Sequence, residues 1–279
     1  FDIVDAQQHI KHGMQQEVVA AMDAVGISSV ILDEWWEVRD KASRPYPFAL
    51  LPNGGFRPIS PTAQIASMLL PNRFGWIQRV ERKDPELPSW FSILVNLPGC
   101  RGVRIDLREP KELKEFSECG YDQLLALASE HSLSVSIISR QAAVTIGRIA
   151  AKFPSTQFVI DHCGHPATLD EWSQILALGK LRNVWLKWSM AELKFGDTEF
   201  PYPNAQAQLL VALENFSPER VMWASNATIA HERGNLSQLA HFVRSTPGLS
   251  TGDMELVLGG SARKLYKWPA NQSTNSAMS

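Results

Sequence analysis

Several side chains that can do acid–base or anion-binding chemistry directly follow short apolar runs. The predicted first strand, Asp2 to Ala6, is followed by Gln7, Gln8 and His9. Because the side chains of a strand alternate between its two faces, Gln7 and His9 should project to the same side. An imidazole exchanges protons near neutral pH, and an amide can orient a ligand. The opening of the chain therefore predicts part of a polar site.

Similar side chains follow the other predicted strands. The residues at those strand ends are Asp33, Glu34, Arg79, Arg104, Asp106, Ser139, Arg140, His162, His165, Lys187, Ser189, Ser225 and Asn226. A site this rich in imidazole and guanidinium groups suits a small anionic or carbonyl-bearing substrate. We therefore expect the protein to bind a small anionic or carbonyl-bearing substrate. We do not expect it to bind nucleic acid or a membrane.

The elements that must position these residues alternate between strands and helices. Short β-branched runs separated by helical patterns predict βα units around a parallel sheet. Eight such units favour a single (β/α)8 barrel, an α/β fold in which the C-terminal strand ends meet at one mouth. After the first, the predicted strands are Ile27–Asp33, Phe74–Val80, Gly102–Leu107, Leu133–Ile138, Gln157–Asp161, Val184–Trp188 and Arg220–Ala224.

We predict one barrel domain, residues 1–268, and a small, polar, disordered tail, residues 269–279. Helices are predicted at Gln15–Ala24, Pro61–Leu70, Tyr121–Glu130, Gln141–Lys152, Leu169–Leu178, Ala205–Glu214, Leu236–Val243 and Ser261–Tyr266. The long irregular segment Glu34 to Ser60 is typical of a binding-site loop. Its aromatic residues can form a wall over the barrel mouth, namely Trp35, Trp36, Tyr46, Phe48 and Phe56.

Composition narrows the function classes. The 279 residues are 44% hydrophobic and carry a net charge of -2, which allows a core but gives no electrostatic footprint for nucleic acid or acidic membranes. No run is apolar enough to span a bilayer and no cationic leader opens the chain, so we expect a cytoplasmic protein. Three unpatterned cysteines argue against a disulfide framework or a structural zinc site. Association into a homo-oligomer is left open.

Five motifs occur in a characteristic order along the chain. They are Asp5–His9 (DAQQH), Gly102–Arg104 (GVR), Phe158–Pro166 (FVIDHCGHP), Arg220–Asn226 (RVMWASN) and Leu258–Ala262 (LGGSA). Together they resemble the amidohydrolase superfamily, in the branch that includes the 2-pyrone-4,6-dicarboxylate lactonases. The resemblance extends from Asp2 to Tyr266 and implies a hydrolase built on a (β/α)8 barrel.

The resemblance also identifies where this sequence departs from its family. The family's first-strand His-x-His falls on Gln7 and His9, its sixth-strand histidine on His162, and its eighth-strand aspartate on Asn226. Neutral amides are weak ligands for zinc. We therefore predict a metal-independent protein with no cofactor. One divalent metal such as zinc, bound at His9 and His162 in a metal-dependent hydrolase, is the alternative.

The catalytic residues implied by the resemblance are His9, His162 and Asn226. In metal-independent lactonases the histidines polarise the scissile carbonyl and the aspartate activates water, but an asparagine has no useful basicity. A histidine can act as the base instead, or Asn226 can be a substituted catalytic aspartate. The reaction can also be one that needs no such base, as in a lyase or isomerase. A ligand-binding pseudoenzyme is the alternative outside the enzymes. Hydrolysis of a small carboxylated or aromatic-sized lactone is the function predicted.

Substrate-binding roles are predicted for Gln7 and for four further strand-end residues. Arg104 can anchor a substrate carboxylate, or it can form an interior ion pair with Asp106, which lies on the same face. Arg79 can join it, or belong to a solvated charge cluster. Lys187 lies in an apolar strand and is expected to point inward, and His165 is expected to contact the substrate or to hold its own turn.

Overall fold

The computed structural model describes residues 1–36, 46–227 and 236–269. Its strands, in chain order, are β1 (Ile3–Ile10), β2 (Ile27–Glu34), β3 (Phe48–Leu50), β4 (Phe56–Pro58), β5 (Phe74–Arg79), β6 (Cys100–Asp106), β7 (Ser134–Ile138), β8 (Phe158–Ile160), β9 (Val184–Trp188) and β10 (Val221–Trp223). One sheet holds eight of them in the order β1-β2-β5-β6-β7-β8-β9-β10, and its neighbouring strands pair in parallel. This topology confirms the predicted (β/α)8 barrel.

Helices connect the barrel strands. They are α1 (Gln15–Val25), α2 (Pro61–Leu69), α3 (Leu87–Leu94), α4 (Pro110–Ser117), α5 (Asp122–Glu130), α6 (Ala143–Lys152), α7 (Leu169–Ala177), α8 (Ala191–Lys194), α9 (Pro203–Phe216), α10 (Leu236–Arg244), α11 (Thr251–Glu255) and α12 (Ser261–Leu265). Within residues 1–36, 46–227 and 236–269, none of the helices combines the length and the hydrophobicity that spanning a bilayer requires.

Backbone hydrogen bonds just past β10 close the barrel onto β1. Asn226 N donates to Gln7 O at 2.9 Å, and His9 N donates to Ala227 O at 2.8 Å. The register of β1 against β2 shifts between Asp5 and Gln8, as at a β-bulge. The seam that closes the barrel therefore passes through the segment that carries Gln7 and His9.

The Asp5 carboxylate ties this seam from within. It accepts hydrogen bonds from Ser225 N at 2.9 Å, Ser225 Oγ at 2.5 Å and Gln7 N at 3.2 Å. Burial raises the pKa of Asp5 to about 6, although these hydrogen bonds oppose the shift. Asp5 thus has a structural task between the first and last barrel strands.

Alternation along the strands explains how charged residues enter the barrel. Outward residues pack with the helices in one large apolar cluster. A second apolar cluster fills the barrel interior and includes Ile31, Ile77, Val159 and Trp185. Two residues further along each of these strands or their ends come Asp33, Arg79, Asp161 and Lys187. Since the side-chain period of a strand is two, these four charged residues face inward, one layer nearer the mouth.

Three expectations about the elements need correction. The first strand extends to Ile10, because its pairing with β2 continues through His9 opposite Asp33, so Gln7 and His9 lie within the strand. The segment predicted as irregular contains β3 and β4, which pair in an antiparallel hairpin; its residues 37–45 lie outside the described residues. The short helices α3, α4, α8 and α11 were not predicted. The single domain with a disordered tail stays a prediction, since residues 270–279 are not described.

Candidate active site

The mouth-side layer of the barrel interior is a cluster of five charged side chains, here called the charge layer. Asp33, Arg79, Arg104, Asp161 and Lys187 compose it, and each is at most 6% exposed. Three cations face two carboxylates, so the charge layer carries a formal charge of +1. Buried charges of this number occur only where they are paired and hydrogen-bonded.

One oxygen of Asp33 is the centre of the charge layer. Asp33 Oδ2 accepts a hydrogen bond from Arg79 Nη2 at 2.5 Å and another from Arg104 Nη1, and it lies 3.2 Å from His9 Nδ1. Burial alone would raise the pKa of Asp33, but the charges of Arg79 and Arg104 outweigh burial and hold it well below its usual range. Asp33 is therefore ionised at neutral pH.

Asp161 joins the other two cations of the charge layer. Its carboxylate accepts from Arg104 Nε at 2.8 Å and from Lys187 Nζ at 2.7 Å. Burial would raise the pKa of Asp161, but the charges of Lys187 and Arg104 lower it. The predicted alternative of an Arg104–Asp106 ion pair is wrong. Asp106 lies further out and pairs with the exposed Arg108 at 2.5 Å.

Arg79 is the most exposed residue of the charge layer, at 6%. Its guanidinium carbon is 5.5 Å from the ring centre of Trp35 and 4.9 Å from that of Tyr46, distances typical of cation–π contacts. Burial lowers the pKa of Arg79 against the pull of Asp33. Its Nε is buried and makes no hydrogen bond to the described residues. Arg79 is thus a buried cation under an aromatic cover, and the solvated cluster predicted as its alternative is wrong.

A chain of three side chains connects the charge layer to the closing seam. Lys187 Nζ donates to Gln7 Oε1 at 2.8 Å, and Gln7 Nε2 donates to Asn226 Oδ1 at 3.0 Å. Lys187 and Gln7 are fully buried, whereas Asn226 is partly exposed. Burial lowers the pKa of Lys187, although Asp161 opposes the shift. The inward orientation expected for Lys187 is the one the structure shows.

The tautomer of His162 follows from its neighbours. Arg104 Nη2 lies 3.3 Å from His162 Nε2, and Ser189 Oγ lies 2.9 Å from His162 Nδ1. A guanidinium can only donate, so Nε2 accepts and Nδ1 carries the proton that is donated to Ser189. Burial lowers the pKa of His162 well below its usual range, and Arg104 adds to this against Asp161. His162 is therefore a neutral imidazole whose lone pair faces a cation.

His9 is placed differently. Its Nδ1 faces the ionised Asp33 at 3.2 Å, and its ring centre lies 5.3 Å from that of Trp35. A carboxylate opposite Nδ1 favours the tautomer with the proton on Nδ1. That tautomer leaves the lone pair on Nε2, for which the described residues provide no hydrogen-bond partner. His9 is consequently the one of the two predicted catalytic histidines whose lone pair faces no hydrogen-bond donor in the described part of the chain.

The turn after β8 is strained. His162, Cys163 and His165 have φ of 55°, 54° and 53°, and Gly164 has 75°. Non-glycine residues rarely adopt this left-handed region, and such strain is concentrated at functional sites. The turn brings the ring centre of His165 to 5.0 Å from that of His162. Burial, with the nearby charge of Lys194, lowers the pKa of His165 to about 4.

Seven of the eight predicted site residues belong to one connected network. They are Gln7, His9, Arg79, Arg104, His162, Lys187 and Asn226, and His165 stands beside it. Asp33, Asp161 and Ser189 complete the network. Asp33 and Asp161 end predicted strands and Ser189 follows one, but none of the three was predicted as a site residue. The signal that could have found Asp33 and Asp161 is their position two residues after an inward apolar residue.

The four positions where the resemblance implies a metal do not fit one. Gln7 Oε1 is occupied by an ammonium at 2.8 Å, and His162 Nε2 faces a guanidinium at 3.3 Å. A divalent ion among these groups would lie beside two fixed cations, with neutral amides in place of anionic ligands. In residues 1–36, 46–227 and 236–269 no three His, Cys, Asp or Glu side chains are grouped so that they could hold a metal.

The sequence matches the model of one protein family over most of its length. The family model described as amidohydrolase matches residues 64–268. The chain belongs to this family, and its fold is the (β/α)8 barrel described above. No curated protein sequence matches it.

Solved structures share the fold at low sequence identity. An amidohydrolase from Burkholderia multivorans, solved with bound HEPES, is 16% identical with a TM-score of 0.77, covering 96% of this chain and 100% of its own. Another of its crystal forms contains bound zinc. A Pseudomonas putida protein, provisionally a 2-pyrone-4,6-dicarboxylic acid hydrolase, is 18% identical with a TM-score of 0.73, covering 95% and 97%. The 5-carboxyvanillate decarboxylase of Sphingomonas paucimobilis is 13% identical with a TM-score of 0.64, covering 95% and 99%.

Proposed function

We propose that this protein is an enzyme that hydrolyses a small carboxylated lactone without a metal ion. The observation that carries the proposal is the charge layer, in which three buried cations outnumber two carboxylates beside His9. A buried surplus of positive charge favours an anionic substrate and stabilises the oxyanion that forms in ester hydrolysis. The Pseudomonas putida neighbour is named for a dicarboxylated lactone of this class.

His9 is the residue we assign to water activation. Its Nδ1 lies 3.2 Å from Asp33 Oδ2, in charge contact but without the geometry of a hydrogen bond, and Asp33 is itself kept ionised by Arg79 and Arg104. A carboxylate beside Nδ1 orients the imidazole of a general base. His162 cannot share this task, because Arg104 faces the nitrogen that would take the proton.

The reaction proceeds by ordinary acyl chemistry. Water adds to the lactone carbonyl carbon while His9 Nε2 takes its proton, and the carbonyl oxygen becomes an oxyanion. The ring C–O bond then breaks, the acid carbonyl re-forms, and the leaving oxygen receives the proton from His9. Arg104 and Lys187 already donate hydrogen bonds to Asp33, Asp161 and Gln7. We therefore assign them a purely electrostatic role, in which their positive charges stabilise the oxyanion.

Arg79 is the cation we assign to the substrate carboxylate. It is the most exposed of the three cations, at 6% against 2% for Arg104 and 0% for Lys187. Its Nε has no hydrogen-bond partner in the described part of the chain. A planar substrate ring would lie against Trp35 and Tyr46, whose rings cover this guanidinium.

The proposal is tested by measuring ring opening of carboxylated 2-pyrones and δ-lactones, with the methyl ester of each acid for comparison. The assays use protein that has been treated with a chelator. Ring opening should persist without metal. Arg79→Met should raise KM for the acids at least tenfold and leave the esters unchanged. His9→Gln should lower kcat by about 10² to 10⁴, the usual contribution of a general base. Failure of both wild type and Asn226→Asp to open any of these lactones would refute hydrolysis. Activity lost on chelation and recovered with zinc would show a metal-dependent hydrolase instead.

Decarboxylation of a hydroxylated aromatic acid is the second candidate. It is favoured by the absence of a free carboxylate base among the described site residues, since Asp33 and Asp161 are ion-paired and Asn226 is neutral. Decarboxylation breaks a carbon–carbon bond, releases carbon dioxide and needs an acid to protonate the carbon. Three structural neighbours are named as decarboxylases of such acids. Release of labelled carbon dioxide from hydroxybenzoates, with deuterium from solvent in the product, distinguishes this reaction.

A further inference from the structure

The direction of the hydrogen bonds from Lys187 through Gln7 to Asn226 is fixed by chemistry. An ammonium only donates, so the Gln7 group that faces it at 2.8 Å is the carbonyl oxygen Oε1. The Gln7 amide nitrogen must then face Asn226, and it donates to Asn226 Oδ1 at 3.0 Å. The Asn226 carbonyl is thereby occupied. Its Nδ2 makes no hydrogen bond to residues 1–36, 46–227 or 236–269.

Both ends of this chain are held in place. At the buried end, Lys187 Nζ also donates to Asp161 Oδ1 at 2.7 Å. At the other end, Asn226 has φ of 51° and its backbone nitrogen donates to Gln7 O at 2.9 Å. Asn226 is also the only partly exposed member of the three. The chain therefore leads from a buried ion pair to the rim of the barrel.

We propose that Lys187 acts through Gln7 to orient the Asn226 amide, so that Nδ2 and not Oδ1 binds an oxygen atom of the substrate. Lys187 and Gln7 are positioning residues, because they act through Asn226. This inference rests on the proposed function and deepens it, since it names the substrate group at this point as a carbonyl or carboxylate oxygen. An aspartate at 226 would present only acceptor atoms there, and would repel such a group.

Side-chain amide NMR tests the orientation directly. In protein labelled with ¹⁵N-asparagine, the side-chain amide of each asparagine gives one pair of N–H signals. The pair that disappears in Asn226→Asp belongs to Asn226. In wild type these signals should have shifts and solvent-exchange rates typical of an amide without a protein acceptor. Titration with benzoate, a simple carboxylate probe, should move them downfield.

Gln7→Glu should reverse the orientation without changing side-chain size. A glutamate keeps the contact with Lys187 but offers Asn226 only an acceptor, so the Asn226 amide must rotate and donate to it. The Asn226 signals should then move downfield without ligand and exchange more slowly. Benzoate affinity should fall at least tenfold, whereas affinity for benzamide, which brings its own N–H donors, should not fall.

Gln141→Glu is the matched control. It adds the same charge at an exposed residue that follows β7 on the mouth side of the barrel, and it should change neither the Asn226 signals nor the ratio of the two affinities. Asn226 signals that are already downfield and slowly exchanging in wild type would overturn the proposal, even where Gln7→Glu folds poorly. The proposal would also be overturned if Gln7→Glu left the Asn226 signals unchanged. Lactone turnover is a separate measurement, so its failure with the expected signals would refute hydrolysis and leave the orientation intact.

Discussion

Asp33 should be the most sensitive residue of the charge layer. Asp33→Asn keeps the shape of the side chain but removes the carboxylate that binds Arg79 Nη2 at 2.5 Å and also binds Arg104 Nη1. Arg104 keeps Asp161, at 2.8 Å, whereas Arg79 loses its hydrogen-bonded carboxylate. Breaking a buried ion pair at one partner typically costs about 3–5 kcal/mol. We expect a loss of that size in the free energy of unfolding, measured by urea denaturation at pH 7.

Two further variants decide whether the loss comes from the unpaired guanidinium. Asp106→Asn removes a carboxylate that pairs with Arg108 at a side-chain exposure of 38%, so its cost should stay below about 1 kcal/mol. Asp33→Asn combined with Arg79→Met removes the stranded cation as well, and should be more stable than Asp33→Asn alone. A loss under about 1 kcal/mol for Asp33→Asn, or a double variant less stable than the single one, would refute this reasoning.

Three other measurements test the surrounding structure. Folding raises the pKa of Asp5 from 3.8 to about 6. Between pH 3.8 and pH 6 the folded protein therefore keeps a proton that the unfolded chain loses. The contribution of Asp5 to stability falls as the pH rises through this range. The unfolding free energy of Asp5→Asn relative to wild type should therefore grow by about 2.4 kcal/mol from pH 4 to pH 7; a flat difference would contradict this. An NMR titration should show the His165 ring protonating near pH 4 and the His162 ring protonating only well below pH 6.5; titration of either near 6.5 would be against it. Gly164→Ala should destabilise the protein by about 1–2 kcal/mol in thermal unfolding, since φ is 75° and a Cβ would lie 2.7 Å from Ile175 Cδ1; an unchanged Tm would be the contrary result.

The barrel and most of its site residues could be predicted because strand alternation is a local property. Lys187 lies two residues after Trp185, and Arg79 two after Ile77, so their inward orientation follows from a period of two. The same rule puts Gln7 and His9 on one face, and the bulge in β1 leaves both within the site network. The sequence thus identifies which side chains share the barrel interior.

The pairing among those side chains could not be predicted in the same way. Arg104 bonds Asp33 and Asp161, which are 71 and 57 residues away in sequence, and not the nearby Asp106. Such partners are selected by the closure of the barrel, which local spacing does not report. The tautomer of His162 depends on Arg104 and Ser189 in the same way. The sequence therefore offers both histidines as candidate bases, whereas in the structure Arg104 faces Nε2 of His162 and Asp33 faces Nδ1 of His9.

Residues 7, 187 and 226 are best understood as one unit. A buried ammonium requires acceptors, and Asp161 and Gln7 provide them at 2.7 and 2.8 Å. The residue between Lys187 and Asn226 must accept on one side and donate on the other, which a neutral amide or imidazole can do and a carboxylate cannot. A divalent cation beside the same ammonium would meet strong repulsion at low dielectric. The net charge of +1 on the charge layer is therefore compatible with two neutral amides at residues 7 and 226. In the hydrolysis proposed above, that charge would stabilise the single negative charge of the oxyanion.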